Sequence, residues 1–316
     1  MKTGTTALQN ILRDHDGSLV LYPKTGQYGT GAHHNLVYNF LGNYSNSPTV
    51  REDSELLFER VAAETRQSDA PVVISSEVLV MHSRTGEFIK KLLDHLGGGF
   101  DVEILFAMRE YFARAASLYS QMLRDERYRE CGGPDEFIVR RAPMVAYEPA
   151  LSLLKETGFK IHLFEYDPAP EFAPRFLKYL GFPEDRIPQI PVQNRSLSIK
   201  GMVVRVAINR AVSSLEERRE FAPVLQQLHP KYGRSHFIFG QEAAKLAAKR
   251  FRYDRAIVRE QFGIAAPMLD TTALGNPFRI TEKDYEQIMA TAVNAGAARD
   301  RFGECLREFV RSPSAR

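Results

Sequence analysis

The chain is short of cysteine, of excess charge and of long apolar runs, and each shortage excludes something. Only two cysteines, Cys131 and Cys305, occur in 316 residues. They are far apart in sequence and lack zinc-ligand spacing, which argues against a disulfide framework and a cysteine-based metal site. No apolar stretch approaches the roughly 20 residues that cross a bilayer, and no secretory signal pattern opens the sequence. The expectation is a cytoplasmic protein with no stable membrane insertion. Lys and Arg number 42 against 39 Asp and Glu, a net charge of +3, which is too small to point to nucleic acid. Internal repeats, low-complexity tracts, His-Glu-x-x-His strings and Asp-rich loops are all missing, so no metal requirement is expected. What is present, 44% hydrophobic and 26% charged residues, is the composition of a globular chain rather than a disordered or collagen-like one.

Four short β-branched or apolar runs, residues 19–22, 71–75, 102–107 and 160–164, read as strands. Segments with apolar residues three and four apart lie between or after them, at 56–66, 88–96, 113–124, 150–157 and 173–180. Gly97, Gly158 and Gly181 follow three of these segments where a left-handed C-terminal cap favours glycine. Strands alternating with helices of this length predict βαβ units and a mainly parallel sheet. Beyond about residue 195 the strand signal stops. Residues 202–217 and 241–262 read as helices, 222–240 as a loop-rich crossing, and 282–310 as a helical segment ending in a polar tail. The expected organisation is a single α/β domain, with an α/β core over 1–212 and a mainly helical portion over 213–316.

The chemistry concentrates at the start. Lys2-Thr3-Gly4-Thr5-Thr6 runs directly into the helix-forming string Ala7-Leu8-Gln9-Asn10-Ile11-Leu12. Glycine lets backbone approach an anion closely, helix N-terminal N–H groups point at it, and Lys2 and the threonine hydroxyls add a mobile cation and donors. This is a phosphate cradle, but not a Walker A loop, which needs Gly-Lys-Ser/Thr at its end. The string resembles the 5′-phosphosulfate loop of sulfotransferases that use 3′-phosphoadenosine 5′-phosphosulfate (PAPS). The resemblance implies that Lys2 touches the bridging oxygen while Thr3, Gly4, Thr5 and Thr6 hold the 5′-phosphate and sulfuryl group.

A second anion site is then required, because the spent donor carries phosphate at both the 3′ and 5′ positions. Arg109 ends the third strand-like run and Ser117 follows eight residues later, the spacing of the family's 3′-phosphate pair. Planar Arg and a short hydroxyl suit those contacts. Glu110-Tyr111 departs from the family's usual Asp-Pro. Residues 163–167 and 176–182 look like the strand and helix that follow in bacterial members, and Asn194 and Ser196, in Gln193-Asn194-Arg195-Ser196-Leu197-Ser198, resemble the loop those proteins close over the nucleotide. A polar loop with a helix N-cap reads this last string equally well. The resemblance covers about residues 1–212 and implies a P-loop-like three-layer α/β fold.

Sulfuryl transfer needs a base for the acceptor and positive charge on the departing phosphate. Tyr22-Pro23-Lys24-Thr25-Gly26 leads to His33-His34, a pattern similar to that of bacterial carbohydrate sulfotransferases and to the His-bearing segment of uronyl 2-O-sulfotransferases, which selects His34 as base and leaves His33 to position substrate. Glu77, at the end of Val72-Val73-Ile74-Ser75-Ser76-Glu77, is the rival, since N-sulfotransferases use Glu. Histidine titrates at about 6.5 unperturbed and Glu at about 4.3. His82 is a weaker candidate, and His15, His95, His162, His229 and His236 read as ordinary surface or capping residues. The Arg-rich stretch 124–141 reads as a solvated face.

The sequence thus predicts a PAPS-dependent sulfotransferase acting on a hydroxyl or amine of a saccharide or glycoconjugate. A nucleotide kinase-like phosphotransferase and a non-catalytic nucleotide- or glycan-binding descendant are the alternatives. A cradle of this kind normally hangs from a buried strand, and here only Met1 precedes Lys2; the expectation is a missing first strand and a start upstream of Met1.

Overall fold

The computed structural model describes residues 5–15, 17–29, 31–42, 51–79, 83–125, 128–166, 172–188, 197–228, 238–268, 278–296 and 298–310. It is a mixed α/β protein in which helix predominates. Two compact units share the chain, each assembled from separate segments. The first comprises Met1–Arg109, Tyr147–Gln193 and Arg255–Ala266; the second comprises Glu110–Ala146, Asn194–Asp254 and Pro267–Arg316.

In the first unit the sequence-predicted strands at 102–107 and 160–164 form β1 (Glu103–Met108) and β2 (Lys160–Glu165). They pair in parallel, Glu103 opposite Lys160 through Met108 opposite Glu165. The other two expected strands are a correction. Residues 19–22 and 71–75 meet in a single parallel bridge, Leu21 to Val72, held by Leu21 N–H to Pro71 O at 2.8 Å and Val73 N–H to Leu21 O at 2.9 Å. Pro71 lacks an N–H, and Pro23 follows Tyr22 closely, so neither run offers an uninterrupted ladder of donors. The sheet among the described residues is therefore two-stranded.

Helices α1 (Thr5–Asp14), α2 (His34–Leu41), α3 (Ser54–Thr65), α4 (Thr85–Leu96), α7 (Glu148–Lys155) and α8 (Phe172–Tyr179) complete this unit. Leu8 and Leu12, one turn apart on α1, pack with Val20, Tyr22 and the α8 residues Phe172, Phe176 and Leu177; Leu105, Ala107 and Phe164 of the strands lie against them. A second cluster joins Leu36, Val37 and Phe40 of α2 to Leu57, Phe58 and Val61 of α3 and Phe88 and Leu92 of α4. Burying such side chains contributes about 1.5–3 kcal/mol each, which fixes α1 in the first cluster and α2 in the second.

The second unit is helical. Its elements are α5 (Tyr111–Arg124), α6 (Pro134–Val145), α9 (Ile199–Ala211), α10 (Leu215–Arg219), α11 (Ala222–Gln227), most of α12 (Gln241–Phe262), α13 (Glu282–Thr291) and α14 (Ala298–Arg307). Three expectations change here. The 202–217 helix is two, because Ser214 leaves helical geometry to cap α10 in a reciprocal capping box with Glu217. The crossing at 222–240 contains α11. The segment 282–310 is interrupted by a 3-10 turn, Ala292–Asn294.

The Arg-rich stretch 124–141 holds an unpredicted helix, α6, and two of its arginines are structural. Arg129 donates to Ser213 O at 2.8 Å and to Asn209 O and Val212 O, satisfying carbonyls at the end of α9. Arg140 makes a two-pronged contact with the buried carboxylate of Glu130 at 2.6 Å. Among the described residues, no helix is long and apolar enough to cross a membrane.

Candidate functional site

Three segments of the first unit build one site: the start of α2, the turn after residue 74, and α1. The turn before α2 is set by Glu64 of α3, whose carboxylate accepts the N–H groups of Lys24 at 2.7 Å and Thr25 at 3.0 Å. Gly26 follows with φ +78°; a Cβ there would lie 2.7 Å from the Cβ of Leu36, and the Gly26 carbonyl accepts the N–H of Asn35 at 3.1 Å. Only glycine meets both demands. The start of α2 is thereby placed against the turn that precedes it.

His33 is fully buried and locks this helix start to the neighbouring run. Its backbone N–H donates to Ser75 O at 2.7 Å, and its Nδ1 accepts the Ser75 N–H at 3.1 Å. Nε2 must then carry the hydrogen, which it donates to Pro23 O at 2.8 Å. Burial pushes its pKa down to about 4. His33 is a neutral internal strut, and the expected substrate-positioning role has no support in that geometry.

His34, the next residue, faces outward. Its Nε2 lies 3.2 Å from Glu77 Oε2, with both side chains about a fifth exposed, and its Nδ1 is 2.9 Å from Ser76 Oγ. The two rival bases, drawn from separate stretches of sequence, therefore share one site. Burial lowers the His34 pKa from its ordinary value, and the Glu77 charge opposes that shift. The result favours a neutral imidazole beside a carboxylate at neutral pH, an arrangement that can accept a proton and stabilise the imidazolium that forms.

Helix α1 approaches the same run. Gln9, buried to 1% exposure, donates from Nε2 to Ser75 Oγ at 3.0 Å. Thr5, at the first helical position, lies about 6 Å along the axis from Gln9 at 1.5 Å per residue. The first turn of α1 carries no acidic side chain of its own, which suits the positive end of the helix dipole to an anion. Thr5 and Thr6 thus open α1 as expected. Lys2, Thr3, Gly4, His82, Asn194 and Ser196 lie outside the described residues.

Arg109 follows β1 in the first unit. Tyr147 clamps its backbone: the Arg109 N–H donates to the phenol oxygen at 2.7 Å, and the phenol donates to Arg109 O at 2.7 Å. The guanidinium carbon stands 5.4 Å from the ring centre of Tyr166. Ser117 belongs to the second unit, on α5, where it is 6% exposed. Glu110 caps α5 by accepting the N–H groups of Phe112 at 2.9 Å and Ala113 at 2.6 Å, so the Glu110-Tyr111 string begins this helix with an N-cap. Ser198 plays the same part for α9, accepting the Gly201 N–H at 3.0 Å, which is the N-cap reading of the 193–198 string.

Sequence reasoning missed Ser76, Ser75, Gln9 and Tyr147. The two serines stand beside Glu77 in the sequence, but no spacing rule links them to His34 or Gln9. Among the described residues, no cluster of three or more His, Cys, Asp or Glu is placed to hold a metal ion. Comparison with known proteins returned no matching family model, no matching curated protein and no matching solved structure.

Proposed function

We propose that the protein is a PAPS-dependent sulfotransferase with a P-loop-like α/β core, acting on a hydroxyl or amine of a saccharide or glycoconjugate. The observation that carries this reading is the 3.2 Å approach of His34 to Glu77, beside the helix that begins where the Lys2-Thr3-Gly4-Thr5-Thr6 string ends. A base pair next to an anion-receptive helix start is what sulfuryl transfer requires.

The donor contacts of this reading follow the sequence resemblance. The N-terminus of α1, whose first turn has no acidic side chain, suits the 5′-phosphosulfate, and the resemblance assigns Lys2, Thr3, Gly4, Thr5 and Thr6 to it. The resemblance further assigns Arg109 and Ser117 to the 3′-phosphate and Asn194 and Ser196 to the nucleotide. In the proposed reaction the acceptor oxygen or nitrogen bonds to sulfur as the bond from sulfur to the phosphate oxygen breaks. The acceptor proton passes to the His34–Glu77 pair, and Lys2 stabilises the negative charge left on the phosphate.

Titration calorimetry tests this. PAPS or its desulfated product should bind without Mg²⁺, and labelled sulfate should move to a member of a saccharide acceptor panel. A preference for ATP with Mg²⁺ would instead support the phosphotransferase reading. Donor binding with no transfer to any acceptor would support a non-catalytic binding protein.

A further inference from the structure

The two units carry charge of opposite sign. The second holds 25 Lys and Arg against 18 Asp and Glu, a net of +7, and the first 17 against 21, a net of −4. Within the second unit, the stretch of α12 from Gln241 to Asp254 gathers four exposed cations, Lys245, Lys249, Arg250 and Arg252. Lys245 is paired with Glu242 at 2.6 Å. Lys249, Arg250 and Arg252 have no carboxylate partner among the described residues. Cations left in that state are available to an external anionic surface.

Packing fixes which side of the helix they occupy. Ala244, Ala247, Ala248 and Phe251 are buried. The Phe251 ring stacks on Tyr111 at 5.0 Å and meets Phe112 edge-on at 5.4 Å, and the Tyr111 hydroxyl donates to Asp254 Oδ2 at 2.6 Å. At 3.6 residues per turn the opposite side presents Leu246, Lys249, Arg250 and Tyr253, an i, i+3, i+4, i+7 set. Leu246 is 57% exposed and Tyr253 71%. A large aliphatic and a large aromatic side chain are thus held in water among cations, on the side of the helix turned away from the core.

We propose that this face of α12 is a docking surface for a lipid bilayer with anionic headgroups. Lys249 and Arg250, flanked by Lys245 and Arg252, meet the lipid phosphates, while Leu246 and Tyr253 enter the interface, where an apolar body with a polar tip is favoured. A soluble anionic polymer would be held by the cations and leave Leu246 without a partner, so the mixture of residues favours a bilayer. Binding is peripheral, because the buried side of α12 stays packed on Tyr111 and Phe112 of α5. The inference uses neither the sulfuryl donor nor His34, so it stands or falls separately from the reading above.

The test is co-sedimentation of the full chain with vesicles of phosphatidylcholine, alone or with one third phosphatidylglycerol. The expected result is binding to the anionic vesicles only, largely lost at about 1 M salt, where the Debye length falls to about 3 Å. Lys249→Gln, Arg250→Gln and Arg252→Gln combined should weaken binding by about 100-fold, at about fivefold per charge. The sequence has no tryptophan, so Tyr253→Trp places a single reporter whose emission should shift to the blue on anionic vesicles. Leu246→Ser should weaken binding severalfold at unchanged salt dependence. These side chains are exposed, and circular dichroism checks that each variant is folded. No binding to anionic vesicles, equal binding to neutral ones, binding undiminished by the triple change, or unshifted emission from Tyr253→Trp would each overturn the proposal. Retention of heparin without vesicle binding would overturn it in favour of an acidic glycan.

Discussion

His33 and Ser75 hold each other twice: the His33 N–H donates to Ser75 O at 2.7 Å, and the Ser75 N–H donates to His33 Nδ1 at 3.1 Å. This reciprocal pair is the hinge of the site, because it aligns His34 with Ser76 and Glu77. It also makes stability sensitive to acid. The unfolded His33 titrates at about 6.5, while the folded ring does so at about 4. Between those values the unfolded chain binds a proton that the folded chain refuses, so stability is full above pH 6.5 and falls as pH drops towards 4. The expected loss is up to about 3 kcal/mol, read as a falling urea midpoint. His33→Gln should flatten that part of the profile while lowering stability at pH 7.

The catalytic prediction separates the two candidate bases. If the sulfotransferase reading is right, His34→Gln and Glu77→Gln should each lower kcat for sulfuryl transfer, with about 10²- to 10⁴-fold loss for the residue that takes the proton. Burial lowers the His34 pKa, so the acid limb of kcat should fall below the ordinary histidine value, and that limb should disappear in His34→Gln. Initial rates across pH 5–8 on the three proteins decide it.

Tyr147→Phe removes one oxygen that serves both backbone groups of Arg109. Tyr147 is 1% exposed, so the Arg109 N–H and C=O lose a partner that water does not readily replace. A cost of about 1–3 kcal/mol is expected, with faster amide hydrogen exchange at Arg109. If donor binding uses this residue, the donor Kd should also weaken in the variant, since the clamp fixes where the guanidinium starts.

In the second unit, Asn209 is the corresponding weak point. Its buried side-chain amide donates to Leu123 O at 3.1 Å and Glu130 O at 2.9 Å. Asn209→Leu leaves both carbonyls without that donor and should cost about 2–4 kcal/mol. Thermal unfolding would show the loss, and Asn209→Asp should not rescue it, because a carboxylate donates no hydrogen bond.

Local physics made much of the helical inventory legible. The 241–262 periodicity matches α12 residue for residue, and Gly97 takes the left-handed cap, φ +87°, predicted from its place after α4. The strands at 102–107 and 160–164 were equally plain, since short runs rich in branched and aromatic residues between helical segments have few other uses. The runs at 19–22 and 71–75 were not, because strand propensity does not say whether enough ladder hydrogen bonds can form beside prolines. Helix α6 was hidden by its charge: Arg140 and Arg141 read as a solvated surface, whereas Arg140 answers a carboxylate, Glu130, brought to it by folding.

The sequence by itself determined the donor-type string, the two candidate bases and most helix positions, since these rest on neighbouring residues and on spacing along one chain. Only the tertiary structure decided that His34 and Glu77 are partners rather than rivals, that His33 is a buried strut, and that Ser76 stands at the other ring nitrogen. Those outcomes depend on a turn held by Glu64, a glycine pressed against Leu36 and a reciprocal pair of hydrogen bonds at His33 and Ser75. Each is a contact between segments distant in sequence, and no local propensity encodes which residues will meet across it.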